Sequence, residues 1–240
     1  WWQRKIVALL HDPPDKVLYI PGHEERAKKL IQIALKLSQE PPEWGKAKNA
    51  DKIASAFDRI PFPSKLTVDC DRFIHPLSAQ EHFIPLTLKE GQAEVLQSRL
   101  EQIIKNLLQE ADSKTCFFKL WRLFEEKLEQ EEPSIPWVLL PAETRMPDHP
   151  LLHHLRVTSA VSAVTENMAT LLFSIGGVQS FIASARKTRD LWMGSFLISY
   201  LTWHAIKVIA EELGPDHLFY PSLLKQPLVD LWLEEKRIVE

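Results

Sequence analysis

A helical apolar run that stops on two consecutive prolines, directly after an adjacent histidine and aspartate, constrains this chain more than any other stretch. Residues 9–16 read LLHDPPDK. Trp2, Ile6, Leu9 and Leu10 recur at helical spacing, and Pro13 and Pro14 lack the amide hydrogen and backbone freedom to carry that helix further. His11 and Asp12 therefore fall at a helix C-terminus. Inside a regular helix neighbouring side chains diverge by ~100°, whereas at a released end both can turn toward one ion. An imidazole nitrogen beside a hard carboxylate oxygen begins the mixed shell of a divalent transition metal. The pair is at most half a site, so the fold must bring the other ligands to it. The competing reading is structural, with His11 capping the last carbonyls and Asp12 opening the turn.

The 240 residues suffice for one large domain or two modest ones. Net charge of −3 leaves no overall nucleic-acid footprint, so any contact with DNA or RNA must use a local patch. Cys70 and Cys116 lie far apart in no CxxC pattern, which argues against a disulfide scaffold, a zinc ribbon or a redox site and fits a reducing cytoplasm. No signal peptide is visible behind Trp1 and Trp2. The most lipid-like stretch, residues 191–209, is interrupted by Ser195, Ser199, Thr202, His204 and Lys207, so a buried amphipathic helix is expected there rather than a membrane span. With no initial Met and a charged run at its end, the chain reads as a piece of something longer.

Helical periodicity dominates the first two thirds. Helices are expected over residues 23–37, with His23 at the start as a capping residue or a further ligand, then over 49–59, 92–111 and 114–130. Pro41, Pro42 and Gly45 mark a loop, and residues 60–90 read as irregular or weakly β, with His75 and His82 isolated. The aromatic stripe of residues 117–124 is assigned to packing. Residues 148–155, DHPLLHHL, form the densest group of candidate metal ligands. Pro150 suits a first helical position, which leaves His149 outside the helical register and free to converge with His154. The alternative for one or two of these histidines is a half-buried place in the core.

After residue 167 the texture changes. Residues 169–175 read as a buried strand, Gly176-Gly177 as a turn into a helix, residues 190–213 as a long apolar helix and 217–220 as a second strand. A domain boundary is placed there, giving units 1–167 and 168–240. Strand, helix, strand is the opening of an α/β sandwich. Arg186, Lys187 and Arg189 are the one local basic cluster and suit either phosphate contact or a solvated linker.

Several segments, in this order, resemble the N-terminal part of the large subunit of type III-B (Cmr) CRISPR-Cas effector complexes. They are LLHDPPDK (9–16), HEERA (23–27), HPLS (75–78), PAETRMPDHPLLHHL (141–155) with Thr158, Ser159 and Ala160, and IGGVQSFIASARKTRDLWMGSFLISY (175–200). The resemblance implies an α+β chain: a mostly helical, permuted HD domain followed by the start of a ferredoxin-like palm. It also implies a metal-dependent single-stranded DNA nuclease, acting with the other effector subunits and their guide RNA and activated by target RNA, with no membrane. The metal positions fall on His11, Asp12, His149 and His154, with Asp148 as a further candidate, while His153 sits one residue off the D-H-x4-H spacing. The other family activity, making cyclic oligoadenylates from ATP, needs a GGDD motif that these 240 residues lack. Gly176, Gly177, Gln179, Arg186 and Lys187 are then the residues expected to contribute to an ATP pocket shared with a second palm.

On this reading His11, Asp12 and Lys16 are the catalytic residues, with Lys16 steadying the scissile phosphate. Mixed His and carboxylate ligands favour Mn²⁺ or Ni²⁺ before Zn²⁺. Two rivals stand beside it: an HD phosphohydrolase acting on nucleotides, and a non-catalytic scaffold that docks other subunits.

Overall fold

The computed structural model of the chain describes residues 1–58, 72–74, 78–83, 88–109, 112–143, 149–164 and 168–239. The polypeptide forms two compact units, Trp1–Thr165 and Glu166–Glu240. Both are mostly helical.

The first unit contains α1 (Trp2–Leu9), α2 (His23–Leu35), α3 (Trp44–Asp58), a small hairpin of β1 (Arg72–Ile74) and β2 (Glu81–Phe83), α4 (Glu90–Leu107), α5 (Ser113–Glu131) and α6 (Leu151–Ala163). In the antiparallel hairpin Phe73 stands opposite His82. The core is built around α1. Ile6, Val7, Ala8, Leu9 and Leu10 are all buried, so its apolar residues surround the helix instead of forming one stripe. Only a helix covered on several sides tolerates that pattern. α3, α5 and α6 cover it, and α4 packs between α2 and α5.

Small residues set the closest contact. Ala50 and Ala54 of α3 meet Val157 and Val161 of α6 in one buried cluster, and short side chains let the two helices approach closely. α6 is tied to α1 by the Ser159 hydroxyl, which donates to the Lys5 carbonyl (3.2 Å). Ahead of α6, a 3₁₀ turn at Trp137–Leu139 and an antiparallel bridge between Pro141 and Pro150 close a short loop. Leu151 N–H donates to the Leu140 carbonyl (2.7 Å) and Ala142 N–H to the His149 carbonyl (3.1 Å), which fixes the backbone of His149.

Some boundaries differ from the sequence reading. Gly45 lies inside α3, not in the preceding loop, because burial of Ala47 and Ala50 extends the helix toward its N-terminus. Pro150 is the N-cap of α6 instead of its first helical residue. Of the stretch expected to be irregular or weakly β, residues 60–71, 75–77 (with His75) and 84–87 lie outside the described residues.

The second unit comprises α7 (Val178–Ala183), α8 (Thr188–Glu212) and α9 (Pro227–Glu235). Trp203 of α8 and Trp232 of α9 pack with ring centroids 5.5 Å apart, joined in the core by Ala210, Leu223, Val229 and Leu233. The two strands expected here are not formed. Residues 168–175 carry no regular secondary structure and have no strand partner among the described residues, and Leu171 and Leu172 are 79% and 91% exposed. An apolar extended run becomes a strand only by pairing its backbone, and no strand pairs with it among the described residues. At the other position Gly214-Pro215 opens a 3₁₀ turn, Pro215–His217. Proline's fixed φ suits a helical start.

The expected burial of the 191–209 helix is also corrected. α8 exposes Trp192, Leu197, Leu201 and Val208, and Trp192, Phe196 and Tyr200 stack along its surface. By length and composition alone it is able to cross a membrane.

One cap gives a direct test of the helical reading. Asp112 Oδ1 accepts from the amides of Lys114 (2.8 Å) and Thr115 (3.3 Å), and Oδ2 accepts from the Thr115 hydroxyl (2.6 Å). The Thr115 hydroxyl bond is the main reason this carboxyl sits below the usual Asp range. Asp112→Ala is expected to lower stability by about 1 kcal/mol, read as a fall in the urea midpoint of the first unit, with Asp112→Ser restoring most of it. Since the folded pKa is depressed, the contribution of Asp112 is present above the ordinary Asp pKa and disappears as pH falls through the depressed value.

Candidate metal centre

The end of α1, the middle of α3 and the start of α6 converge on one buried point. His11 follows α1 and is fully buried. Its Nδ1–H donates to the Ala8 carbonyl (2.7 Å), a bond that the frayed last turn makes available. In a neutral ring this leaves the lone pair on Nε2. That atom has no hydrogen-bond partner among the described residues, and it lies 3.6 Å from both Asp12 Oδ2 and Asp51 Oδ1. A lone pair facing two carboxylate oxygens is stable only if a proton or a metal cation comes between them.

His154 completes the cluster from α6. Its Nε2 lies 3.1 Å from Asp51 Oδ1 and 3.4 Å from Thr158 Oγ1. The donor atoms of His11, Asp51 and His154 all fall within 4.8 Å of one another. The ring of His154 stands 5.7 Å, centroid to centroid, from the rings of both His11 and His149. Asp12, 1% exposed, keeps Oδ1 without a hydrogen-bond partner among the described residues, 4.0 Å from His23 Nε2. Its other oxygen accepts from Lys16 Nζ at 2.5 Å. His23 does not cap α2, whose N-cap is Gly22 without a side-chain bond; its Nδ1 lies 3.0 Å from the Ile20 carbonyl.

Electrostatics hold both carboxylates ionised. Burial opposes ionisation of Asp51, but the imidazoles of His11 and His154 that face it, with the charge of Lys48, outweigh it and pull the carboxyl far below the usual range. At Asp12 burial is again the largest single influence and raises the pKa, and the charges of His11 and Lys16 reverse it to a net lowering. Asp15, nearby and fully buried, goes the other way. Burial pushes it up, and Arg26 offsets that only in part.

The donor set fits a divalent transition metal. It combines two imidazoles with carboxylate oxygen, His11 already directs its outer N–H to a backbone carbonyl as metal-binding histidines do, and two buried atoms lack other partners. Asp51, His149 and His154 also line an adjoining cleft of about 500 Å³, with Lys16, His23 and Lys52 around them.

The distant segments that the sequence nominates thus come together: His11, Asp12 and Lys16 lie beside His149 and His154. Asp148 falls outside the described residues. Sequence reasoning missed Asp51. Its only signal was position, because it stands four residues after Ala47 and three before Ala54 on the inward face of α3, where a carboxylate needs a partner.

The five residues expected to approach ATP lie in the second unit. Gly176 and Gly177 form the turn before α7, Gly177 at φ +74° as its N-cap; Gln179 is on α7, and Arg186 and Lys187 lie between α7 and α8. A cavity of about 510 Å³ in this unit is lined by residues of α7 and α8 including Phe181, Asp190 and Tyr200, and by none of those five.

Comparison with known proteins adds an independent line. Residues 170–239 match the family model described as CRISPR-associated protein Cmr2, N-terminal. The CRISPR system Cmr subunit Cmr2 of Pyrococcus furiosus is 31% identical, over 94% of this chain and 32% of its own length. The corresponding subunit of Saccharolobus solfataricus is 29% identical, over 97% of this chain and 24% of its own. Among solved structures, a chain of the type III-B Cmr-beta complex in its apo state superposes with a TM-score of 0.66 at 25% identity, over 97% of this chain and 24% of that one. The chain therefore spans about a third or less of the length of these relatives.

Metal titration tests the geometry directly. Mn²⁺ at about 100 times its dissociation constant is expected to stabilise the protein by about 2.7 kcal/mol, seen as a rise in melting temperature that EDTA reverses. Asp51→Ala, which removes the carboxylate between the two histidines, is expected to abolish that rise.

Proposed function

The chain belongs to the Cmr2 family and corresponds to the N-terminal part of its members, and from that premise we propose that its first unit is a metal-dependent phosphodiester hydrolase cutting single-stranded DNA within a type III-B CRISPR effector complex. The observation that carries this reading is the meeting of His11, Asp51 and His154 donor atoms at the wall of an accessible cleft, with His11 Nε2 and the neighbouring Asp12 Oδ1 buried without hydrogen-bond partners among the described residues. His11, Asp51 and His154 would hold the ion, with Asp12, His149 and Asp148 as further candidate ligands and Mn²⁺ or Ni²⁺ preferred to Zn²⁺. Such an ion would polarise a phosphoryl oxygen and lower the pKa of a bound water.

The chain's own residues do the rest. Asp51 and Asp12 stay ionised through the neutral range, so they orient and balance charge without relaying protons. Lys16, bonded to Asp12 but 29% exposed at the cleft, is placed to turn from that carboxylate to a phosphate oxygen. Lys52, next to Asp51 on α3, lines the same cleft and forms no ion pair among the described residues, which makes it the free cation for a neighbouring phosphate. These are backbone contacts, so cleavage without sequence preference is expected. Gly176, Gly177, Gln179, Arg186 and Lys187 are proposed to contribute to an ATP site only together with a second palm.

A second role is favoured by the exposed apolar surface of α8. A surface of this kind marks an interaction site, and it supports a scaffolding place for the second unit among effector subunits that carry guide RNA and respond to target RNA. The two roles are compatible.

Purified protein is expected to cut fluorescent single-stranded oligonucleotides with Mn²⁺, and the His11→Ala, Asp12→Ala double variant to be inactive. Equal cutting by that variant refutes the nuclease reading, and absence of stoichiometric metal binding favours the scaffold alone. Lys52→Gln is expected to raise KM for DNA several-fold with kcat held, and to reduce the salt dependence of DNA binding by about one unit of slope.

A further inference from the structure

The segment between α1 and α2 carries Asp12 and Lys16 and leads into His23, the first residue of α2, and its far side is held by a buried ion pair that the chemistry described above does not use. Asp15 is fully buried, and Arg26 of α2 reaches it at 3.2 Å. The same guanidinium donates to the carbonyls of Pro21 and Tyr19, each at 2.6 Å, and lies over the Tyr19 ring at 5.2 Å from its centroid. One side chain thus gathers three points of the loop, Asp15, Tyr19 and Pro21. The Asp15 carbonyl accepts from Leu18 N–H (3.0 Å) and Tyr19 N–H (3.2 Å), which tightens the turn.

As a source of stability this arrangement is poor. Asp15 Oδ1 and Arg26 Nε are buried without hydrogen-bond partners among the described residues. A buried ion pair left partly unsatisfied commonly stabilises no more than an apolar pair of similar volume. What it supplies is direction. The planar fork fixes three bonds at set angles, and the loop it fixes presents Lys16 and His23 to the cleft and Asp12 to His11.

We infer that Arg26, with Asp15 as its anchor, is a positioning residue for the metal centre, holding the loop so that Asp12 and His23 face His11 and the cleft. The inference rests on the reading of that centre as a metal site. It assigns the pair to the geometry of the ligands, not to holding the unit folded.

The decisive variant replaces both charges by apolar groups, Asp15→Leu with Arg26→Met, and Arg26→Lys keeps the charge without the fork. Three quantities are read: the melting temperature of metal-free protein, the Mn²⁺ dissociation constant by calorimetry, and kcat and KM for single-stranded DNA. The double variant is expected to melt within about 3 °C of wild type while binding Mn²⁺ about ten-fold more weakly. Arg26→Lys is expected to weaken Mn²⁺ binding in the same direction, because an ammonium cannot make the three directed bonds. Wild-type Mn²⁺ affinity in both variants overturns the inference and leaves the metal-site reading intact. A double variant that fails to fold, or loses affinity only in step with its melting temperature, assigns the pair to stability and also overturns it. If wild-type protein binds no Mn²⁺, the reading of the centre fails first, and the positioning role with it.

Discussion

A single carboxylate, Asp51, holds together the part of this chain that matters chemically. Its Oδ1 stands 3.1 Å from His154 and 3.6 Å from His11, and those histidines lie on segments separated by most of the first unit's sequence. Burial alone would drive such a carboxyl toward its neutral form. The two imidazoles and Lys48 reverse that, and the carboxylate stays charged in a place where only positive partners make charge tolerable. Each partner is thereby constrained by the other. The close contact of α3 and α6 through Ala50, Ala54, Val157 and Val161 is what makes this meeting sterically feasible.

Around that point the fold separates two tasks. The buried side, made by α1, α3 and α6, supplies donor atoms of fixed orientation, with the Ala8 carbonyl setting the tautomer of His11. The open side is a cleft whose rim carries Lys16, Lys52 and His23. On the proposed nuclease reading, cations at the rim would hold a polyanion without committing to its sequence, and the rigid floor would let a reacting phosphate be met at one place. The chain's overall negative charge is no obstacle, because the field that counts is local.

The second unit poses a different physical situation. Its small core, with Trp203 against Trp232, leaves the apolar run of residues 168–175 and a long apolar surface on α8 uncovered. The family match over residues 170–239 falls on this unit, whereas the candidate chemistry lies in the other.

The sequence by itself determined the helical character of the first unit and the break after α1, and it nominated the two distant segments that carry His11 and His154. Each rests on a local signal: apolar periodicity, two prolines, and the density of histidines in residues 148–155. It also held the family likeness. It did not reveal Asp51, because an aspartate on a helix among alanines looks the same from its neighbours whether it faces water or two histidines. Nor could it show that Lys16 bonds Asp12, that Arg26 clamps the loop from behind, or that residues 169–175 pair with nothing among the described residues. Those depend on which surfaces meet across the fold. Helix propensity is written in adjacent residues, whereas a buried charge is decided only by what the tertiary structure sets opposite it.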